Sequence, residues 1–168
     1  MSFWRTYYHL VWATKNREPF ITSEIEPRLF AYLVRKSAEL GVYVYEINGW
    51  YDHVHMIVAI PPKRAIAYIV KRLKGASSYD LTQAGATFSW QRGYGVLTFG
   101  EGQRSTAEAY VRDQKIHHED ETTNAWLERC AEFDEGPESK GIQADGVPPI
   151  VAVAERSAGY DVLGEPPF

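Results

Sequence analysis

The chain predicts an α+β fold on three observations. Two stretches alternate apolar and polar residues with the two-residue period of a half-buried strand. Two others carry apolar residues at helical spacing behind capping signals. Between residues 1 and 118 the elements follow the order β-α-β-β-α-β-α.

The first strand is read at Thr6–Thr14, with Tyr8, Leu10 and Trp12 on one face and Tyr7, His9 and Val11 on the other. A loop covers Lys15 to Thr22. Ser23 and Glu26 have capping-box spacing, and Ile25, Leu29, Leu33 and Leu40 form the apolar stripe of a helix that Gly41 stops. Pro27 falls in the first turn, where proline is tolerated.

Val42–Asn48 and His53–Ile60 read as strands joined by a hairpin at Gly49-Trp50-Tyr51-Asp52. In the later strand Val54, Met56, Val58 and Ile60 make the better core face. His53, His55, Ile57 and Ala59 lie on the opposite face. Pro61-Pro62 ends the strand. A second helix spans about Arg64 to Tyr79, with Ile66, Ile69, Val70 and Leu73 inward and Lys63, Arg64, Lys71, Arg72 and Lys74 on its surface and start. Gly93–Phe99 is a fourth strand, and Gly100-Glu101-Gly102 a joint. Ser105 and Glu108 suggest a capping box for a last helix carrying Tyr110, Gln114, His117 and His118. The first six elements match the split βαβ of ferredoxin-like folds. Helices then cover one face of the sheet and the histidines sit on the other.

Composition narrows the class. Eleven tyrosines and five tryptophans exceed what packing needs, and the single Cys130 excludes an internal disulfide framework. No apolar run reaches the roughly 18 residues of a membrane span, and the first residues lack a signal-peptide pattern, so a cytoplasmic protein is expected. Net charge is −4, unevenly spread: residues 1–118 carry +5 and residues 119–168 carry −9. A basic body with an acidic tail often accompanies nucleic-acid work; a tail that only aids solubility is the competing reading. Two domains follow: residues 1–120 as the catalytic body, and 121–168 as an acidic extension, largely irregular or disordered beyond Glu135. The apolar stretch Pro149–Val153 is the one part of the extension suited to docking.

Chemistry concentrates in two motifs. His53 and His55, one residue apart on a strand, point the same way. Tyr110 and Gln114, four apart on a helix, share a face. Two imidazoles and an amide oxygen suit a hard-to-borderline divalent ion, and a phenol beside it is a nucleophile. That set suits cleavage of a phosphodiester with one half kept covalently attached. Each residue alone has a blander reading: strand histidines, and an interface aromatic.

Four blocks in order carry a family resemblance: Tyr8-His9-Leu10-Val11-Trp12, Asp52-His53-Val54-His55, Trp90-Gln91-Arg92-Gly93-Tyr94-Gly95, and Tyr110 through His118. Over residues 5–118 the chain resembles the single-tyrosine HUH transposases, the group of IS200-like insertion-sequence enzymes and the tyrosine transposases associated with repetitive extragenic palindromes. The resemblance implies a ferredoxin-like fold and a single-stranded DNA substrate flanked by hairpins. It implies Mg2+ or Mn2+ held by His53, His55 and Gln114, and Tyr110 as the nucleophile of a 5′-phosphotyrosine link. It also implies a homodimer with active sites completed in trans, paired through the Tyr94–Phe99 edges; a monomer complete in cis is the alternative. DNA contacts are expected from Lys63, Arg64, Lys71, Arg72 and Lys74, with Trp50, Tyr51 and Trp90 stacking on bases. The acidic tail departs from the family pattern. Its readings are an inert extension, a DNA mimic over the basic groove, and a recruiter of a host protein.

His117 and His118 read more simply as a solvated helix end than as ligands, although His117 returns to the face of Tyr110. His9 is open between the site and the core. Asp52 is open between supporting an imidazole and shaping the turn. The function expected is a metal-dependent single-stranded DNA transposase. A domesticated hairpin-DNA- or RNA-binding protein without strand transfer is the alternative. An RNA-recognition domain shares the element order but lacks its signature here.

Overall fold

The computed structural model describes residues 3–131. A four-stranded antiparallel sheet runs β2-β3-β1-β4, with β1 at Tyr7–Ala13, β2 at Tyr43–Trp50, β3 at His53–Ala59 and β4 at Gly95–Phe99. Helices α1 (Glu26–Glu39) and α2 (Ile66–Gln83) link the strands by two split βαβ crossovers, which is the ferredoxin-like arrangement expected.

Alternation along the strands divides the molecule. Leu10 and Trp12 of β1 and Val54, Met56 and Val58 of β3 meet Leu29 and Leu33 of α1 and Ile69, Val70 and Leu73 of α2 in the main core. Each such leucine or isoleucine contributes about 1.5–3 kcal/mol by leaving water. The other face is covered as well. The helices α3 (Arg104–Arg112) and α4 (Gln114–Glu119) pack over β2 and β3, so every residue of β3 is buried. Val111 seals this second layer.

Three local expectations shift. Ser23 does not cap α1: the turn begins one residue earlier, with Thr22 accepting from the Ile25 amide at Oγ1 (3.4 Å), and Glu26 reaches Lys115 instead. Ser105 lies inside α3, because a 3-10 turn at Glu101–Gln103 starts the helix early, and Glu108 pairs with Arg104 at 3.0 Å. The last helix is two helices, broken at Asp113 (φ −92°, ψ 13°), so Tyr110 and Gln114 flank a kink.

Residues 121–131 pack with the body: the Thr122 amide donates to the His117 carbonyl at 2.8 Å, and Ala131 bridges to Tyr94. The acidic remainder and Pro149–Val153 lie outside the described residues. No helix among the described residues is long and apolar enough to cross a membrane.

Candidate metal and nucleophile site

The β2–β3 hairpin sets the histidines. It has a two-residue tip, Tyr51-Asp52, and Gly49 pairs with Val54 across it. A Cβ at Gly49 would stand 2.2 Å from the His53 carbonyl oxygen, so only glycine permits this approach. Thr14 ties the tip to β1, its amide donating to the Asp52 carbonyl at 2.8 Å.

Both imidazoles are held from behind. The His53 Nδ1 lies 2.5 Å from Asp52 Oδ1, and Arg17 pairs with the same carboxyl at 3.2 Å. The His55 Nδ1 lies 2.7 Å from His9 Nε2. Asp52 and His9, both left open by the sequence, thus orient the two rings and leave their Nε2 atoms forward, as outer partners of metal ligands do.

Across from them stand Tyr110 and Gln114. The Tyr110 ring centroid is 6.4 Å from those of His9 and His55 in the same chain. Gln114 is fully buried; its Nε2 donates to Glu128 Oε1 at 3.3 Å, while its Oε1 has no hydrogen-bond partner. A buried amide oxygen without a partner is costly, and a cation is one partner that would relieve it. Two oriented imidazoles and this oxygen fit Mg2+ or Mn2+.

Glu128 joins the cluster unannounced by the sequence, and so does His118, which the sequence favoured as a solvated helix end rather than a ligand. The Glu128 Oε2 lies 2.9 Å from His55 Nε2 and 3.1 Å from His53 Nε2, and its Oε1 accepts from the Tyr110 hydroxyl at 2.5 Å. The His118 Nε2 is 3.2 Å from His53 Nε2, with the ring stacked on Trp50 at 5.0 Å. His53, His118 and Glu128 form a group spaced to hold an ion. His118 follows Gln114 by one helical turn, a spacing that could have flagged it. Glu128 had no local signal. His117 stacks on Tyr110 at 4.8 Å, on the face that the helical repeat assigned it.

Electrostatics follow burial. Desolvation, with His55 adjacent, drives His9 down to about 3, so it is neutral. Burial likewise lowers His55 and His118. Burial opposes charge on His53, but the carboxylates of Asp52 and Glu128 at its two nitrogens prevail and raise it. Burial would raise Glu128, yet hydrogen bonds from His53 and His55 hold it well below the carboxylate range. Burial, then the Glu128 carboxylate, raises the Tyr110 phenol above the ordinary tyrosine value.

The expected DNA-binding residues divide. Lys63, Arg64, Lys71 and Arg72 are exposed, on α2 and the turn before it. α2 covers the sheet face opposite the histidines. Trp50 and Tyr51 lie at the site, in edge contact at 4.8 Å. Lys74 is not a surface cation. Its Nζ donates to the carbonyls of Gln91 (2.8 Å) and Gly93 (2.6 Å), and burial lowers it to about 8. Trp90 is not an open platform either: its Nε1 donates to Ser77 Oγ at 3.0 Å, and its ring meets Trp12 and Phe88 edge-on.

Paired histidines on a ferredoxin-like sheet, facing a tyrosine on a later helix, are what the family resemblance implies. The family described as "Transposase IS200 like" matches residues 2–114, and the chain belongs to it. It is 30% identical over 115 residues to the ISDra2 transposase TnpA of Deinococcus radiodurans, covering 64% of this chain and 82% of that one. Identity is 31% over 120 residues with the IS200 transposase of Salmonella typhimurium, covering 66% and 78%. A transposase crystal structure from Deinococcus radiodurans superposes with a TM-score of 0.55 at 28% identity, over 68% of this chain and 95% of that one. A REP-associated tyrosine transposase bound to a REP hairpin shares the fold, with a TM-score of 0.55 at 13% identity over 75% and 76%.

Proposed function

We propose that this transposase cuts and rejoins single-stranded DNA at hairpin-flanked ends through a 5′-phosphotyrosine. Tyr110 is the nucleophile, and His53, His55 and Gln114 hold Mg2+ or Mn2+. The observation that supports this reading is the convergence, within one chain, of two back-supported imidazoles, an unpartnered buried amide oxygen and a phenol.

The bound ion would supply Lewis-acid neutralisation of phosphate charge. The residues do the rest. Asp52 and His9 fix both rings, so the ligand nitrogens need no reordering. Gln114 brings a neutral oxygen. The Tyr110 oxygen forms a bond to phosphorus as the bond from phosphorus to the 3′-oxygen breaks. The phenol loses its proton, and the departing strand gains one as a free 3′-hydroxyl. The ester conserves the energy of the broken linkage, so a 3′-hydroxyl on another strand reverses the step without ATP.

Exposed Lys63, Arg64, Lys71 and Arg72 supply salt-dependent phosphate contacts, and Trp50 and Tyr51 stack on unpaired bases. The proposed assembly is a homodimer with active sites completed in trans; Tyr110 beside His55 of its own chain supports the alternative, a site complete in cis. Mixing Tyr110→Phe and His53→Ala chains separates the two, since only trans assembly restores cleavage. The cytoplasm, where the DNA is, is the proposed compartment.

The test is a cleavage assay with Mn2+ on end-labelled hairpin DNA from the gene's own flanks. A denaturant-stable adduct on the DNA 3′ of the cut is expected, and it should vanish with Tyr110→Phe and with EDTA. Binding without an adduct would point to the domesticated binding protein. Cleavage surviving Tyr110→Phe would mean another nucleophile.

A further inference from the structure

We propose that Glu128 is a fourth, anionic ligand of the ion, and that its carboxylate also positions Tyr110. This rests on the reading of His53, His55 and Gln114 as ligands. It adds a residue from outside the family-matched region, which ends at 114.

The first argument is convergence. Glu128 Oε2 lies 3.1 Å from His53 Nε2 and 2.9 Å from His55 Nε2, and His118 Nε2 lies 3.2 Å from His53 Nε2. His53, His118 and Glu128 are spaced to hold one ion. Adjacent ligands about 2.1 Å from an octahedral ion stand about 3.0 Å apart. The spacings of Oε2 to His53 Nε2 (3.1 Å) and His55 Nε2 (2.9 Å) match that edge.

The second argument is charge. The Glu128 side chain is 15% exposed, and its ion-pair partners among the described residues are His53, His55 and His118. A carboxylate taken this far out of water needs countercharge, and a divalent ion among the same nitrogens adds it.

The third is placement. Ala131 bridges to Tyr94 beside β4, and a Cβ at Gly95 would stand 2.0 Å from the Arg129 carbonyl oxygen. The backbone carrying Glu128 is thus seated closely against the sheet. With Oε2 at the imidazoles, Oε1 is left to accept from the Tyr110 hydroxyl and from Gln114 Nε2. One carboxylate so ties the phenol to the ligand set.

The experiment titrates Mn2+ into the metal-free full chain and reads free Mn2+ by electron paramagnetic resonance. His53→Ala is the control: wild-type affinity in that variant would refute the metal reading itself. If His53→Ala loses the ion, Glu128→Gln decides the present proposal. Its affinity should fall by roughly tenfold or more. Glu128→Asp, which keeps the charge, should bind more tightly than Glu128→Gln, and this ordering holds the test open if Glu128→Gln alone folds poorly by circular dichroism. The Mn2+-induced ultraviolet difference of the Tyr110 phenol, isolated by subtracting Tyr110→Phe, should vanish in Glu128→Gln. Unchanged or tighter Mn2+ binding in Glu128→Gln would overturn the proposal and make the carboxylate a competitor of the ion.

Discussion

Acidification should destabilise the metal-free protein through His9, and the size of the effect can be worked out. His9 is 4% exposed, and burial, then His55, drives it from 6.5 down to about 3. A depressed histidine is neutral in the fold and protonates first in the unfolded chain, so its contribution is complete above 6.5 and is lost as pH falls toward 3. Between pH 7.5 and pH 5 the loss from this one group is about 2 kcal/mol. His55, also lowered, adds to it. His53, raised, acts the other way: its contribution is full below 6.5 and fades as pH climbs through its folded value. His9→Gln isolates the term, because an amide keeps a hydrogen bond to His55 Nδ1 and does not titrate. The assay is urea unfolding in EDTA at pH 7.5 and pH 5. Wild type should lose about 2 kcal/mol more than His9→Gln over that interval. Equal losses would refute the assignment of His9 as a buried neutral ring.

Gly49→Ala should push the start of β3 away from β2, since the new Cβ meets the His53 carbonyl oxygen at 2.2 Å. A cost of about 1–3 kcal/mol and weaker Mn2+ binding are expected, by thermal melting and Mn2+ titration. Gln114→Leu removes an unpartnered buried oxygen along with one 3.3 Å hydrogen bond. Metal-free stability should change by no more than about 1 kcal/mol, while calorimetry should show Mn2+ affinity falling roughly tenfold or more. Lys74→Met should lower stability by about 1–3 kcal/mol through the orphaned Gln91 and Gly93 carbonyls. It should leave the salt slope of DNA binding unchanged, whereas Lys71→Ala with Arg72→Ala should flatten it.

Much of this architecture was legible because periodicity reports local geometry. The alternation of β1 and β3 put Leu10, Trp12, Val54 and Met56 on one face and His9, His53 and His55 on the other, and the sheet keeps that division. What periodicity does not report is the partner that a face acquires from far along the chain. The cover that α3, α4 and residues 121–131 lay over the histidine face could not be read from periodicity, because they meet it only by tertiary contact. Glu128 stood in a stretch without pattern, and its role depends on the bridge of Ala131 to Tyr94. Lys74 and Trp90 read as surface groups by type. Their neighbours, the Gln91 and Gly93 carbonyls and the rings of Trp12 and Phe88, made them internal. Capping signals misled twice, at Ser23 and Ser105, since a 3-10 turn or a shifted first turn satisfies the same amides.

The sheet keeps the exposed cations of α2 on one side and the histidine–tyrosine cluster on the other. A strand gripped by α2 must pass around an edge of the sheet to be cut. On the proposed reading, the cations that contact phosphate and the groups that cut are therefore separate sets of residues, with the main core between them. Each can change without the other: loss of Tyr110 would leave the phosphate contacts in place, and loss of the basic helix surface would weaken DNA binding without touching the ligand set.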